Sequence, residues 1–351
     1  MDAVGLEINS TELEDDEYHV ISIVFQAGIM LLIIIAGLVG NAVTLCALMI
    51  NTTLQTKSYV FVANLAVADI LNCLLGMPVI FVSSILNKWV FGDALCVVMG
   101  ATTVLFCLAS LLTLCAISIE RYVCITAPLK YEAILTENRL KLLIFWTWFQ
   151  ALIFALFPIF GWSVYVYTPN EFLCTAAWNK NISYTILLFI TCIIGPFIFM
   201  VFAYLKILKV ARTQLRKVAA QDRGLSSAAD KTKLRKETKA AFTLLIVIGT
   251  FLVCWIPHVI SMACVMFENC PLPDWYFTIS TWLAMANSAC NPLIYGILNK
   301  TFRTTCIAIF RRRRLNRMHI ISKSACNNLS LRNNSCRPKQ FDKAITGNKN
   351  I

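Results

Sequence analysis

The sequence predicts an all-α membrane protein: a seven-transmembrane helix bundle followed by a short amphipathic eighth helix on the inner leaflet. Three observations lead there. Of the 351 residues, 58% are hydrophobic and only 14% charged, against about 25% charged in a typical soluble domain. The apolar residues gather in seven runs, roughly 22–50, 59–86, 94–119, 142–162, 183–208, 240–267 and 275–298. Each is near or above the ~20 residues that cross a bilayer, where the backbone must satisfy its own hydrogen bonds and so becomes helical. Finally, only Lys88 and Lys180 of the 31 Lys and Arg fall in segments on the N-terminal side of the spans. The positive-inside rule then places the N-terminus outside the cell and the C-terminus in the cytoplasm.

That charge distribution also disposes of one function class. The net charge of +12 is a cytoplasmic basic surface facing anionic lipid and acidic partners, and no nucleic acid is needed to explain it. The expected division is an extracellular N-terminus over 1–20, the bundle over 21–298, an amphipathic helix over 299–314, and a polar, disordered cytoplasmic tail over 315–351. Residues 1–20 hold seven acids and no Lys or Arg, without the basic and apolar blocks of a cleaved signal peptide. Outer sequons stand at Asn9 and Asn181, where glycans attach.

The elements follow in order. In the first span, Gly37 and Gly40 allow close helix approach, and Asn41 seeks a polar partner on a neighbour, for which the second span offers Asn64 and Asp69. Asp69 is the one carboxylate deep in a span, hence a functional-site candidate by default. Pro78 should kink this helix. The third span starts near Cys96 and ends on Glu120-Arg121-Tyr122, costly groups unless they sit at the interface or find partners. The next turn offers an apolar Leu129 to the cytoplasm. The fourth span contains Trp148 and Pro158. The longest outer loop follows, rich in aromatics around Cys174; with Cys96 also on the oxidising side, a Cys96–Cys174 bridge is expected. Cys264 and Cys270 are near enough in sequence for a second bridge, which the sequence leaves open. The other cysteines lie mostly in apolar spans, as small hydrophobes. The fifth span carries Pro196 and Tyr204. The sixth contains Cys254-Trp255-Ile256-Pro257-His258, whose proline should bend the helix beside a bulky ring. The seventh ends Asn287-Ser288-Ala289-Cys290-Asn291-Pro292-Leu293-Ile294-Tyr295. Beyond it, alternating basic and apolar residues form the interfacial helix, with Cys306 a palmitoylation candidate.

Taken together, Gly40-Asn41, Leu65-Ala66-Val67-Ala68-Asp69, Glu120-Arg121-Tyr122, Trp148, Pro196 with Tyr204, Cys254-Trp255-Ile256-Pro257 and Asn291-Pro292-Leu293-Ile294-Tyr295 resemble the rhodopsin-like (class A) G-protein-coupled receptors. The likeness covers about 20–310, with one motif per span and Glu120 where the family usually has Asp. It implies an activation switch made of Glu120, Arg121, Tyr204, Glu237, Trp255, Pro257, Asn291, Pro292 and Tyr295, in which Arg121 pairs with Glu120 and with Glu237 at the inner end of the sixth span. It implies a sodium site of Asp69, Ser110, Asn287, Ser288 and Asn291, whose oxygens suit a hard cation. The alternative for Asp69 is a hydrogen-bonded buried acid. By position, the ligand pocket falls among Thr103, Phe106, Cys107, Trp178, Trp255, His258, Met262, Trp282 and Met285, with Ala176 and Trp178 as a lid.

The texture is closest to the amine, melatonin and opsin-like branch, with two departures. Amine receptors have an Asp where Thr103 stands, so a small non-cationic ligand is expected. Opsins carry a lysine in the seventh span, and 275–298 contain none, so no covalent retinal and no cofactor are expected. The implied function is a plasma-membrane receptor that binds an extracellular small molecule or peptide and activates a heterotrimeric G protein, with arrestin, receptor kinases and membrane lipids as further partners. A ligand-independent or dimerisation-partner receptor is the first alternative. A transporter or channel is the second, disfavoured because no inverted repeat is visible. No nucleophile–base set or metal cluster faces water, so an enzyme is not expected.

Overall fold

The computed structural model describes residues 10–54, 57, 59–221, 228–267, 270–309 and 311. Its larger unit, within 1–299, is built from seven long helices: α1 (Ser10–Ile50), α2 (Tyr59–Leu86), α3 (Gly92–Thr126), α4 (Glu137–Leu156), α5 (Ile182–Leu188, continued by a π-helical turn Phe189–Ile194 and by Gly195–Gln221), α6 (Ala228–Val265) and α7 (Asp274–Leu298). Between α4 and α5 stands a two-stranded antiparallel hairpin, β1 (Tyr165–Thr168) and β2 (Leu173–Ala176), with Tyr167 opposite Cys174. The second unit is described only as a helix over 300–309, α8, and residue 311. Cys306 lies on α8, half-buried.

Among the described residues, six helices are long and apolar enough to cross a membrane. The seventh, α7, has the length at 25 residues, but its buried face carries Ser280, Thr281, Asn287, Ser288 and Asn291. Those polar groups turn inward, while Leu293 and Ile297 face outward. Outward apolar side chains recur on every wall, among them Phe25, Val39, Phe145, Ile198 and Val253, as a lipid-facing surface requires. Helix α3 lies at the centre, packed against α2, α4, α5 and both strands. Its Leu108, Ala109, Leu111, Leu112, Leu114 and Ile117 belong to the main core with Phe61, Phe154, Tyr184, Phe251 and Trp255.

The prolines shape the helices. A proline donates no N–H and crowds the carbonyl four residues back, so the helix is loosened just upstream. A π turn at Asn72–Gly76 precedes Pro78, and one at Phe189–Ile194 precedes Pro196. Pro257 and Pro292 sit inside α6 and α7. Pro158 differs from the expectation: α4 stops at Leu156 and Pro158 follows in turns, although Phe157 before it keeps helical φ and ψ. At the N-terminus, helix extends back to Ser10. Gly37 and Gly40 of α1 do meet neighbours: a Cβ on Gly40 would fall 2.8 Å from Pro292 Cβ, and one on Gly37 2.6 Å from Cys73 Sγ.

Candidate functional site

Three buried carboxylates mark three levels of the bundle. Asp69 is 1% exposed on α2, and three neighbours donate to it: Ser110 Oγ (3.1 Å) and Ser288 Oγ (3.0 Å) to Oδ1, and Asn291 Nδ2 (3.1 Å) to Oδ2. The set joins α2, α3 and α7. Asn287 is buried in the same stretch of α7. Asn41 does not turn to Asp69 or Asn64, as the sequence led one to expect. Its Nδ2 donates to the carbonyls of Ser288 (2.8 Å) and Gly37 (2.9 Å), because the close approach at Gly40 brings α7 within reach. Asn64 instead accepts from Trp148 Nε1 and donates to Thr113, both at 2.8 Å, tying α2 to α4 and α3.

At one end of the bundle, Glu120 is fully buried, with Oε2 3.1 Å from Arg121 Nε. Tyr131, in the turn after α3, donates its hydroxyl to Glu120 Oε1 at 2.6 Å. Burial and the adjoining Glu120 push the Tyr131 phenol well above its ordinary range. Lys57 joins the same turn, bonding Glu132 and the Leu135 carbonyl and lying over the Tyr131 ring. Leu129 beside it is almost wholly exposed. Tyr204 and Tyr295 lie on α5 and α7, Tyr295 in contact with the main core. The side chain of Glu237 lies outside the described residues, so its expected contact with Arg121 does too.

At the opposite end, Cys174 of β2 is bridged to Cys96 of α3, their Cα atoms 5.3 Å apart. Cys264 and Cys270 form a second bridge at the end of α6. Asn181 is half-buried, its Oδ1 accepting from Ser183; Asn9 lies outside the described residues. Below the hairpin is a cavity of about 60 Å³, lined by Thr103, Cys107, Leu173, Trp178, Trp255, His258, Met262, Thr281 and Met285, among others. That is room for a few waters, with Trp255 on the wall two residues before Pro257.

Seven of the nine expected pocket residues meet here. Phe106 and Trp282 are the exceptions. Phe106 points toward α4 and stacks edge-on against Trp148; Trp282 belongs to a separate apolar cluster with Met30, Ile34, Cys73 and Met77. Both follow from helix phase, since a step of one residue turns a side chain by about 100°. Ala176 is fully buried in β2.

The third carboxylate, Glu171, escaped the sequence reading. It stands in the hairpin turn Pro169–Glu171, 4% exposed. Burial pushes its carboxyl up to about 7, and a hydrogen bond with Thr281 draws it partly back. Thr281 Oγ1 is also 3.4 Å from His258 Nδ1. The preceding residue clamps the turn to α7: Asn170 Nδ2 donates to Asp274 (2.6 Å), and Thr278 Oγ1 donates to the Asn170 carbonyl (2.6 Å). Asp274, Thr278 and Thr281 recur at i, i+4 and i+7, one helical face.

Comparison with known proteins agrees with this geometry. Residues 40–295 match the model of the 7 transmembrane receptor (rhodopsin family). The chain belongs to that family. Human G-protein coupled receptor 161 is 32% identical over 320 residues, covering 84% of this chain and 60% of the relative. The Drosophila melanogaster octopamine receptor beta-2R is 32% identical over 330 residues, covering 80% and 60%. The chain thus spans about 60% of the length of these relatives. Squid rhodopsin superposes with a TM-score of 0.71 over 95% of this chain and 93% of that one, at 23% identity, a likeness of fold. The protein is therefore a multi-pass membrane receptor of the rhodopsin family.

Proposed function

We propose that this receptor takes an extracellular ligand into the cavity under the hairpin and, in response, activates a heterotrimeric G protein from its cytoplasmic face. The observation that carries the reading is the shared helix α6. Trp255 walls the cavity, Pro257 breaks the backbone hydrogen bonding beside it, and α6 runs on toward the end where Glu120 holds Arg121. A ligand over Trp255 biases a bend at Pro257, and the bend is read out as movement at the arginine end, a hinge of the kind packed helices permit. The N-terminus and the hairpin then lie outside the plasma membrane. The exposed Leu129 is an anchor for the helix of a partner docked in the opened cleft, with arrestin and receptor kinases competing for the same face. Glu237 is the second partner of Arg121 in the resting state.

The level between is a candidate cation site. Asp69, Ser110 and Ser288 place three oxygen-bearing side chains together, which fits the oxygen preference of sodium, with Asn287 and Asn291 beside them. Asp69, Ser110 and Ser288 would hold the ion, which would supply a positive charge to a carboxylate otherwise satisfied by Ser110, Ser288 and Asn291.

The test is nucleotide exchange on purified heterotrimeric G proteins. An Arg121→Ala variant that is inserted and folded should lose exchange; undiminished exchange by that variant would refute the reading. Basal exchange by the unliganded wild type would favour the ligand-independent alternative.

A further inference from the structure

The acid missing from the α3 wall, where Thr103 stands, is present on the other side of the cavity. Glu171 is 4% exposed, and its Oε2 has no hydrogen-bond partner among the described residues. Its carboxylate bonds the hydroxyl of Thr281, which lines the cavity beside His258. No lining residue carries a carboxylate or a permanent positive charge, so Glu171, one hydrogen bond behind the wall, supplies the negative charge there. The placement is rigidly built. The Cys96–Cys174 bridge fixes one side of the hairpin to α3, and the Asn170 clamp to Asp274 and Thr278 fixes the turn to α7. A buried carboxyl oxygen left unpaired is costly, and this one is held behind Thr281, which lines the cavity.

We propose that the receptor recognises ligands with a protonated nitrogen on a short apolar or aromatic body, and that the nitrogen is held on the α7 side by Thr281 with Glu171 as its counter-charge. This rests on the cavity being the ligand site, and it revises the non-cationic ligand expected from Thr103. The ligand's N–H groups donate to Glu171 Oε2 and Thr281 Oγ1, while the Thr281 hydroxyl continues to donate to Glu171. Its body lies against Trp255, Trp178, Met262 and Met285. The two methionines, unbranched and adaptable, are the side chains that yield to enlarge the small cavity.

Two probes of the same shape, 2-phenylethylamine and 2-phenylethanol, isolate the charge. With purified receptor in detergent, thermal shift measured against probe concentration should show the amine binding about tenfold or more tightly than the alcohol, the range expected for a charge-assisted hydrogen bond. The Glu171→Gln variant should lose that preference, and Thr281→Val should reduce it, giving a second reading should the first variant fold poorly. Equal binding of amine and alcohol, no binding of either, or an amine preference that survives both substitutions would overturn the proposal. Exchange assays keep the two readings apart. Amine binding without nucleotide exchange on any G protein would sink the receptor reading and leave the site standing. Exchange that needs Arg121 but shows no amine preference would do the opposite.

Discussion

The two ends of the bundle are held by different means. At the hairpin end, two disulfides, the Asn170 clamp and a β-hairpin fix the loop over the helices. At the arginine end, the contacts include an ion pair between neighbours in the same helix, one phenol hydrogen bond, the Lys57–Glu132 pair and Arg139 on the Ala133 and Ile134 carbonyls, with no covalent link among the described residues. Each end buries a glutamate whose Oε2 has no hydrogen-bond partner among the described residues, but at Glu120 that oxygen has the Arg121 ion pair, and at Glu171 no ion pair is described. The difference teaches which end receives and which end moves. A site that must recognise a ligand gains from preorganisation, whereas a switch needs two arrangements close in free energy.

The largest effect should come from cutting the covalent hold. The Cys96–Cys174 bridge closes a separation of 78 residues and Cys264–Cys270 one of 6. Chain entropy assigns about 4.5 kcal/mol to the first and about 2 kcal/mol to the second. Thermal unfolding of Cys174→Ser and Cys270→Ser receptors should therefore fall in that order. The reverse order would mean that the hairpin is positioned by its hydrogen bonds and that the bridge is secondary.

Next in size is a pH effect confined to the hairpin end. Seated, the Glu171 carboxyl sits at about 7 against an ordinary 4.5, so the seated turn holds its proton more tightly than the released one. Its contribution is fully present below about pH 4.5 and lost as pH rises through 7, a span worth up to about 3 kcal/mol. The unfolding temperature of the wild type should drop between about pH 5 and pH 8, and Glu171→Gln should flatten the curve and overtake the wild type at the alkaline end. Parallel curves for the two proteins would clear Glu171 of responsibility.

The same contrast explains what could be read in the chain beforehand. The spans were legible because bilayer length and apolar composition are properties of single helices. The meeting of Asp69 with Ser110, Ser288 and Asn291 followed from motifs at fixed places in three helices. Partners created by the fold between distant segments were hidden: Tyr131 on Glu120, Asn41 on the Ser288 carbonyl, and above all Glu171 on Thr281. A faint signal for the last did exist, since Asp274, Thr278 and Thr281 put three polar groups on one face at the start of α7, a face that had to be covered. Nothing local showed that a turn three residues before Cys174 would cover it. Phe106 and Trp282 show the converse: sequence distance places a residue at the right depth, and helix phase decides which way it faces.

At the arginine end, Tyr131→Phe should cost about 2 kcal/mol, as expected for losing a hydrogen bond to a buried charged group. Where the loss falls on the resting arrangement and not on the active one, basal nucleotide exchange should rise by up to about thirtyfold. Were basal exchange unchanged, the phenol would be packing the turn without restraining Glu120, and the arginine end would be stiffer than its few contacts imply.

The smallest change is the most discriminating. Thr278→Val removes one neutral hydrogen bond, from Thr278 Oγ1 to the Asn170 carbonyl, and keeps the side chain's shape, so stability should fall by only about 1 kcal/mol. Its geometric consequence is larger than its energy, because the Pro169–Glu171 turn then hangs on Asp274 and on the Thr281 contact alone. If rigidity is what the hairpin end provides, this variant should weaken binding of a cationic probe more than it lowers the unfolding temperature, chiefly by speeding dissociation. A loss of affinity no greater than the loss of stability would mean that the turn finds its place without the clamp, and that the disulfide alone fixes the lid.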